Sequence, residues 1–81
     1  MAEKLILILY TTHDTMRVEK LLKENRMRHS LIQKPAKINP GCGIAIFFYN
    51  GDTEKLKKLL ESEGIDYEGI YSKRGDELIK E

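Results

Sequence analysis

Apolar and polar residues follow one another along the chain in a pattern that predicts four β-strands and two α-helices. Residues 4–10 and 43–49 are apolar at both odd and even positions, so both faces of these strands are expected to be covered and both strands to be central in a sheet. Residues 28–34 alternate more strongly. Residues 66–72, in which alternation places Tyr67, Gly69 and Tyr71 on one face, contain glycine and acidic side chains. These two features are typical of edge strands.

The segments between the strands have the spacing of amphipathic helices. The first helix is expected to begin after Thr11 as the N-cap and to end near Asn25. The second is predicted over residues 53–63, capped by Asp52 and followed by Gly64 in the left-handed conformation. In the first helix the apolar side carries Val18, Leu21 and Leu22, and the solvent side carries Glu19, Lys20 and Lys23.

The element order β-α-β-β-α-β predicts an α+β fold, the ferredoxin-like two-layer sandwich. Its antiparallel sheet has strand order 4-1-3-2, and both right-handed crossovers place the helices on one face. Residues 1–72 would form this single domain, and residues 73–81 a polar tail with at most one helical turn. In this topology strands 1 and 3 are antiparallel neighbours, so the end of strand 1 lies beside the start of strand 3.

The composition fits one ordinary soluble domain. With 81 residues the chain can bury one modest core, and its net charge of +1 gives no general attraction to nucleic acid. Its longest apolar runs are far shorter than the ~20 residues of a membrane-spanning helix, and its first residues lack the layout of a signal peptide. A single cysteine cannot form an internal disulfide. We therefore expect a cytoplasmic protein with no membrane partner.

Residues 35–43 form the loop in which chemistry is predicted. This loop holds the only cysteine, both prolines and two of the six glycines. Pro40 fixes its own backbone angle φ, while Gly41 and Gly43 leave no side chain to cover Cys42. The alternative is that Cys42 is buried and inert, as free cysteines often are.

The predicted topology brings this loop to the start of the first helix, where Thr11, Thr12 and His13 lie. A helix N-terminus presents free backbone N–H groups and a positive partial charge, which lowers the pKa of a nearby thiol from about 8.5. The resulting thiolate of Cys42 could attack persulfides, selenium species, disulfides or acyl groups. A protonated His13 would add to the effect, although this histidine is equally well read as a surface residue without a role. His29, on an edge strand, is expected to be an ordinary surface residue.

Other kinds of site find less support in the sequence. One cysteine and two histidines without ligand spacing predict no metal site, and no cofactor is expected. A dithiol redox site would need a second cysteine in the chain. Catalysis by a Cys–His pair would need an acidic or amide partner for His13, and Asp14 is expected to serve the helix cap instead.

Nucleic-acid binding would use an exposed sheet face on which aromatic and basic side chains alternate. The strands offer aromatic residues for such a face: Phe47, Tyr49, Tyr67 and Tyr71. The basic residues, however, fall mostly on the first helix and on residues 34–37. A nucleic-acid partner is therefore ranked low.

Three segments of the chain resemble the selenium/sulfur carrier-like family of small prokaryotic proteins. They are YTTHDTMRVEKLL at residues 10–22, the Cys-Gly pair at residues 42–43 preceded by Pro35 and Ile38, and YEGIY at residues 67–71. The resemblance covers nearly residues 4–72. Family members have small polar residues before the Cys-Gly pair, where this chain has Asn39-Pro40-Gly41. The resemblance implies a single-cysteine carrier in sulfur or selenium metabolism.

Two functional hypotheses follow. In the first, Cys42 carries a persulfide or selenium adduct between a donor protein and an acceptor protein, with Gly41 and Gly43 giving access and residues 11–13 stabilising the anion. Such a protein is an accessory carrier or transferase rather than a stand-alone enzyme. In the second, the loop binds a small anion or a partner protein and Cys42 only packs.

A homodimer is also predicted. Both helices are expected on one face of the sheet, yet residues 4–10 and 44–49 offer apolar side chains to both faces. One set would be left facing water, and such a patch would exceed what soluble monomers usually expose. A homodimer through the open sheet face would cover it, with coverage by residues 73–81 as the alternative.

Overall fold

The computed structural model describes residues 4–34, 43–74 and 77–80, which form an α+β fold. The elements are β1 (Lys4–Leu9), α1 (Thr12–Glu24), β2 (His29–Gln33), β3 (Ile44–Tyr49), a 3-10 turn (Asn50–Asp52), α2 (Thr53–Ser62), β4 (Tyr67–Arg74) and β5 (Glu77–Lys80). The predicted class is confirmed. Each predicted element is present, and its ends differ from the prediction by at most two residues.

The sheet has five strands, in the order β2-β3-β1-β4-β5, and every pairing is antiparallel. The predicted four-stranded sheet with order 4-1-3-2 is therefore wrong. The difference lies in the polar tail, where β5 pairs with β4 instead of forming a helical turn. As a result β4 is an interior strand and not the predicted edge. The short run Glu77–Lys80 forms a strand because its apolar Leu78 has a sheet cluster to pack against.

Both helices pack on one face of the sheet and enclose the larger core cluster. Leucines at alternate positions of β1 point to this face, and apolar residues from α1 and α2 cover them. The buried members from these three elements are Leu5, Leu7, Leu9, Val18, Leu22, Leu56 and Leu60. The complete burial of β1 from Leu5 to Leu9 confirms that it is a central strand.

The opposite sheet face carries a second, smaller cluster. Ile6 is 3% exposed and Ile8 is 0% exposed, and both pack with the buried Ala45. Partly buried side chains surround these three: Ile32, Phe47, Tyr71 and Leu78. The open apolar face on which the homodimer prediction rested is thus covered within one chain. Leu78 belongs to the tail that was the alternative cover.

A β-bulge separates Tyr67 from Tyr71, which alternation had placed on the same face of the last strand. Ile8 pairs with Gly69 but Leu9 pairs with Tyr67, so Glu68 is an extra residue in β4. An extra residue reverses the faces of the residues beyond it. Tyr67 accordingly packs against the helix-side cluster, while Tyr71 packs against the smaller cluster. The prediction of a common face was wrong for this reason.

The predicted helix ends are largely confirmed. The Asp14 backbone N–H donates to Thr11 Oγ1 over 3.0 Å, so Thr11 is the N-cap of α1. Gly64 ends α2 with a φ of 66°, a conformation that glycine adopts without strain. Asp52 stands at the N-cap position of α2, but its side chain makes no capping hydrogen bond. Thr53 Oγ1 instead donates to the Asn50 carbonyl over 2.8 Å.

Leu78→Ala is expected to destabilise the protein by about 1–2 kcal/mol, less than the roughly 2–5 kcal/mol of a fully buried leucine, because Leu78 is partly buried against the smaller cluster. Ile79→Ala is the matched control. Ile79 is 41% exposed, so its truncation should change stability by less than about 0.5 kcal/mol. Urea denaturation of both variants measures the difference. Equal losses would mean that β5 does not cover the sheet face.

Candidate functional site

The end of β1, the start of β3 and the start of α1 lie at one end of the sheet. β1 and β3 pair antiparallel with Leu5 opposite Phe48 and Leu7 opposite Ile46. If this register is extended by two residues, Leu9 lies opposite Ile44. The end of β1 is therefore beside the start of β3. α1 starts three residues after the end of β1, at the same end of the sheet. This is the juxtaposition that the topology predicted.

The residues on either side of the cysteine loop, as we call residues 35–43, are neighbours in the sheet. Gln33 pairs with Ile44, and the Lys34 backbone N–H donates to the Gly43 carbonyl over 2.9 Å. Residues 35–42 therefore connect two hydrogen-bonded points. Gly41 and Cys42 lie outside the described residues. Gly43 is exposed, with open space around the position that a Cβ would take.

The start of α1 is a solvent-exposed helix N-terminus. Thr11, Thr12 and His13 are all exposed. The carboxylate of Asp14 lies 3.5 Å from Arg17 Nη1, so it is engaged within the helix. Backbone N–H groups of a first helical turn and the helix dipole together favour an anion at such a position. The prediction that the thiol meets this helix start stays a prediction, because it depends on Cys42.

The family of the chain follows from a comparison over most of its length. The sequence profile of the family described as "Putative Se/S carrier protein-like" matches residues 4–72. The chain belongs to this Se/S carrier-like family. The resemblance seen in the sequence is thereby confirmed. No curated protein and no solved structure matches the chain.

The matched region of this Se/S carrier-like protein runs from β1 into β4. It contains both helices, residues 35–43 and the paired strands β1 and β3. It ends at residue 72, inside β4 and before β5. The fifth strand thus lies outside the part that the chain shares with the family profile.

Sequence reasoning missed a polar pair between α1 and β2. Glu19 was expected on the solvent side of the helix, and His29 was expected to be an ordinary surface residue. Both expectations are wrong. Glu19 is only 8% exposed, and His29 Nε2 lies 2.8 Å from Glu19 Oε2. His29 Nδ1 lies 2.7 Å from the Met27 carbonyl oxygen, so each ring nitrogen has an oxygen atom within hydrogen-bond distance.

The Glu19–His29 pair stabilises the ionised form of the Glu19 carboxyl group. The hydrogen bond from His29 lowers the pKa of Glu19 below its ordinary value of 4.5, against the opposing effect of burial. Lys23, whose Nζ lies 3.5 Å from Glu19 Oε1, lowers this pKa further. One sequence signal could have revealed the pair. The buried residues of α1 follow the helical spacing 15, 18, 19 and 22, so Glu19 stands within the core-facing side.

The described part of this Se/S carrier-like chain offers neither a metal-binding cluster nor a membrane-spanning helix. Among residues 4–34, 43–74 and 77–80, no group of three His, Cys, Asp or Glu side chains could hold a metal ion. Within the same ranges, no helix has the length and apolar character required to cross a membrane.

Proposed function

We propose that this protein carries sulfur or selenium on Cys42 and passes it from a donor protein to an acceptor protein. The observation that carries the proposal is the pairing of β1 with β3, which brings the start of β3 to the end of the sheet where α1 begins. Cys42 is bonded directly to Gly43, the residue that precedes β3. Membership of the Se/S carrier-like family supports the same function.

The proposed transfer exchanges one sulfur–sulfur bond for another. The Cys42 thiolate attacks the terminal sulfur of a donor persulfide, R–S–SH, and forms Cys42–S–SH. The donor S–S bond breaks, and the donor leaves as the thiolate R–S⁻. An acceptor thiolate then attacks the terminal sulfur in the same way, and Cys42 returns to the thiolate. A donor that bears –S–SeH delivers selenium by the same exchange, and no external oxidant or reductant is consumed.

The helix start supplies the electrostatic part of this mechanism. The exposed first turn of α1 at Thr11, Thr12 and His13 favours negative charge, both on the Cys42 thiolate and on a persulfide or selenium anion. The sequence neighbours of Cys42, Gly41 and Gly43, have no side chains, and we expect this to give two different proteins access to the sulfur in turn. The protein itself then needs no metal and no general base. It acts as an accessory of the donor and acceptor enzymes.

An intact mass of the wild-type protein tests the proposal. Protein incubated with a persulfide donor and kept free of reductant is expected to gain the mass of one sulfur atom per chain. Dithiothreitol should remove that mass, because it attacks the same sulfur. A wild-type chain that gains no mass, or one whose added mass survives dithiothreitol, would contradict a carrier function. A thiol that reacts only after denaturation would favour the alternative, a module that binds a small anion or a partner protein.

The partners, the cellular location and the oligomeric state of the carrier stay predictions. A donor protein and an acceptor protein are the expected partners, and a cytoplasmic location is expected for them and for the carrier. A homodimer also stays a prediction, without the exposed apolar face that first suggested it.

A further inference from the structure

Two cations lie over aromatic rings at the end of the sheet opposite the cysteine loop. Lys4 Nζ is 5.5 Å from the centroid of the Phe47 ring. The guanidinium carbon of Arg28 is 5.0 Å from the centroid of the Tyr49 ring. Cation–aromatic contacts of this kind occur roughly once per 70–80 residues, so two on one strand of a short chain form a local concentration.

The strand register places these groups on one face of the sheet. Lys4 is directly opposite Tyr49, and Ser30 is directly opposite Phe47, so each pair shares a face. Phe47 and Tyr49 are two residues apart on β3 and therefore point to the same side, with their Cα atoms roughly 7 Å apart. Arg28 joins them through its contact with Tyr49. We call Lys4, Arg28, Ser30, Phe47 and Tyr49 the cation–aromatic surface.

The cation–aromatic surface borders a cavity of about 480 Å³. All five of its residues line this cavity, together with His29 and Phe48. None of the lining residues that the structure describes is acidic. The lining of the cavity thus combines the positive charges of Lys4 and Arg28 with aromatic side chains of β3. Lys4, Arg28 and Ser30 are exposed, while the two rings are half-buried.

We propose that the cation–aromatic surface binds a nucleotide, either as a free molecule or as a unit of a single-stranded RNA. The phosphate group binds to Lys4 and Arg28, and the base packs against the rings of Phe47 and Tyr49 in place of the cation–ring contacts, which are weak at exposed sites. Such binding found little support in the sequence, because most basic residues fall on α1 and on residues 34–37. The structure supplies the missing juxtaposition, since basic residues from β1 and from just before β2 meet the aromatic residues of β3.

A nucleotide fits this surface better than an acidic peptide does. A peptide carboxylate would use the two cations and leave the rings without a function. A nucleotide carries a phosphate and a planar base, and bases stack on aromatic side chains and on arginine. The surface lies at the opposite end of the sheet from Gly43 and the start of β3, so this proposal is independent of the carrier function.

The binding partner is tested by NMR titration of the full-length protein. The probes are adenosine monophosphate, a short single-stranded RNA, inorganic phosphate alone and an acidic peptide of similar charge. Both nucleotide probes are expected to shift the ring resonances of Phe47 and Tyr49 and to saturate. Tighter binding of the RNA would identify a nucleic-acid chain as the source of the nucleotide. Equal binding of adenosine monophosphate would identify the free molecule.

Two variants and their matched controls test the residues. Arg28→Gln should reduce the dependence of log K on log salt concentration for the RNA from a slope of about −1.4 to about −0.7, because one of two phosphate contacts is lost. Tyr49→Leu should weaken binding about five-fold or more through lost stacking. Arg17→Gln on α1 and Tyr10→Leu at the other end of β1 make the same chemical changes elsewhere and should leave binding unchanged. Arg28 is exposed, so its variant is informative even if Tyr49→Leu unfolds the protein.

Several results would overturn the nucleotide proposal. Binding of inorganic phosphate as tight as that of adenosine monophosphate would show that the rings contribute nothing. Equal binding of the acidic peptide would indicate a protein partner instead. Absence of any ring shift with both nucleotide probes, or equal effects of Arg28→Gln and Arg17→Gln, would remove the surface as a binding site.

Discussion

Replacing Cys42 by serine is expected to abolish the sulfur or selenium adduct completely. Serine has nearly the same size, but its hydroxyl group stays protonated at neutral pH and forms no persulfide. Because the chain has only this cysteine, the variant has no other thiol that could take up the adduct. Intact mass after incubation with a persulfide donor measures the loss. The far-ultraviolet circular dichroism of the variant should equal that of the wild type.

A relocated thiol provides the matched control for this experiment. In the Cys42→Ser background, Ser62→Cys places a single cysteine at the exposed carboxyl end of α2. A helix C-terminus carries a negative partial charge, which disfavours a thiolate. This thiol should accumulate far less adduct than Cys42 at the same donor concentration and pH. Equal accumulation at both positions would mean that any exposed thiol suffices, and that the position of Cys42 has no special function.

The second large effect is expected for His29→Ala, which should destabilise the fold by about 2–3 kcal/mol. The substitution removes the hydrogen bonds to Glu19 and to the Met27 carbonyl. It leaves a carboxylate with little exposure, with Lys23 Nζ 3.5 Å away. Hydrogen bonds to charged groups contribute about 1.5–3 kcal/mol each. His13→Ala is the control. His13 is exposed, so its replacement should change stability by less than about 0.5 kcal/mol.

The His29 effect should depend on pH in a defined direction. The folded protein lowers the pKa of Glu19 below 4.5, so the ionised carboxylate stabilises the fold above that pH. This stabilisation is lost as the pH falls through the lowered pKa of the folded state. The difference between wild type and His29→Ala should therefore shrink as the pH falls through the lowered pKa of Glu19. Urea denaturation across that range is the measurement, and a difference that persists unchanged in strong acid would contradict the assigned pair.

Local sequence was sufficient for those parts of the fold that depend on local chemistry. Apolar residues at both odd and even positions of β1 correctly predicted a strand that is buried on both faces. Thr11 and Gly64 correctly marked helix ends, because capping and left-handed backbone angles are properties of single residues and their near neighbours. The meeting of the end of β1 with the start of β3 followed from topology, and the observed register agrees with it.

The errors concern contacts between residues that are distant in the sequence. Glu19 and His29 are ten positions apart, and the sequence around either residue does not reveal that the other is its hydrogen-bond partner. The extra residue in β4 is defined only against its partner β1, so alternation within residues 66–72 could not reveal it. β5 has just four residues and is charged at both ends. It forms a strand because it pairs with β4 and because Leu78 packs against the cluster around Ile6.

The pH dependence of Cys42 alkylation tests the central claim most directly, because it reports whether the thiol meets the start of α1. We predict that the thiol pKa lies below its ordinary value of about 8.5. Thr12→Lys should lower that pKa further and Thr12→Glu should raise it. The same two substitutions at Thr53, the first residue of α2 at the opposite end of the sheet, should leave it unchanged. A thiol pKa at or above 8.5 that stays the same in Thr12→Lys and in Thr12→Glu would contradict the proposed carrier site.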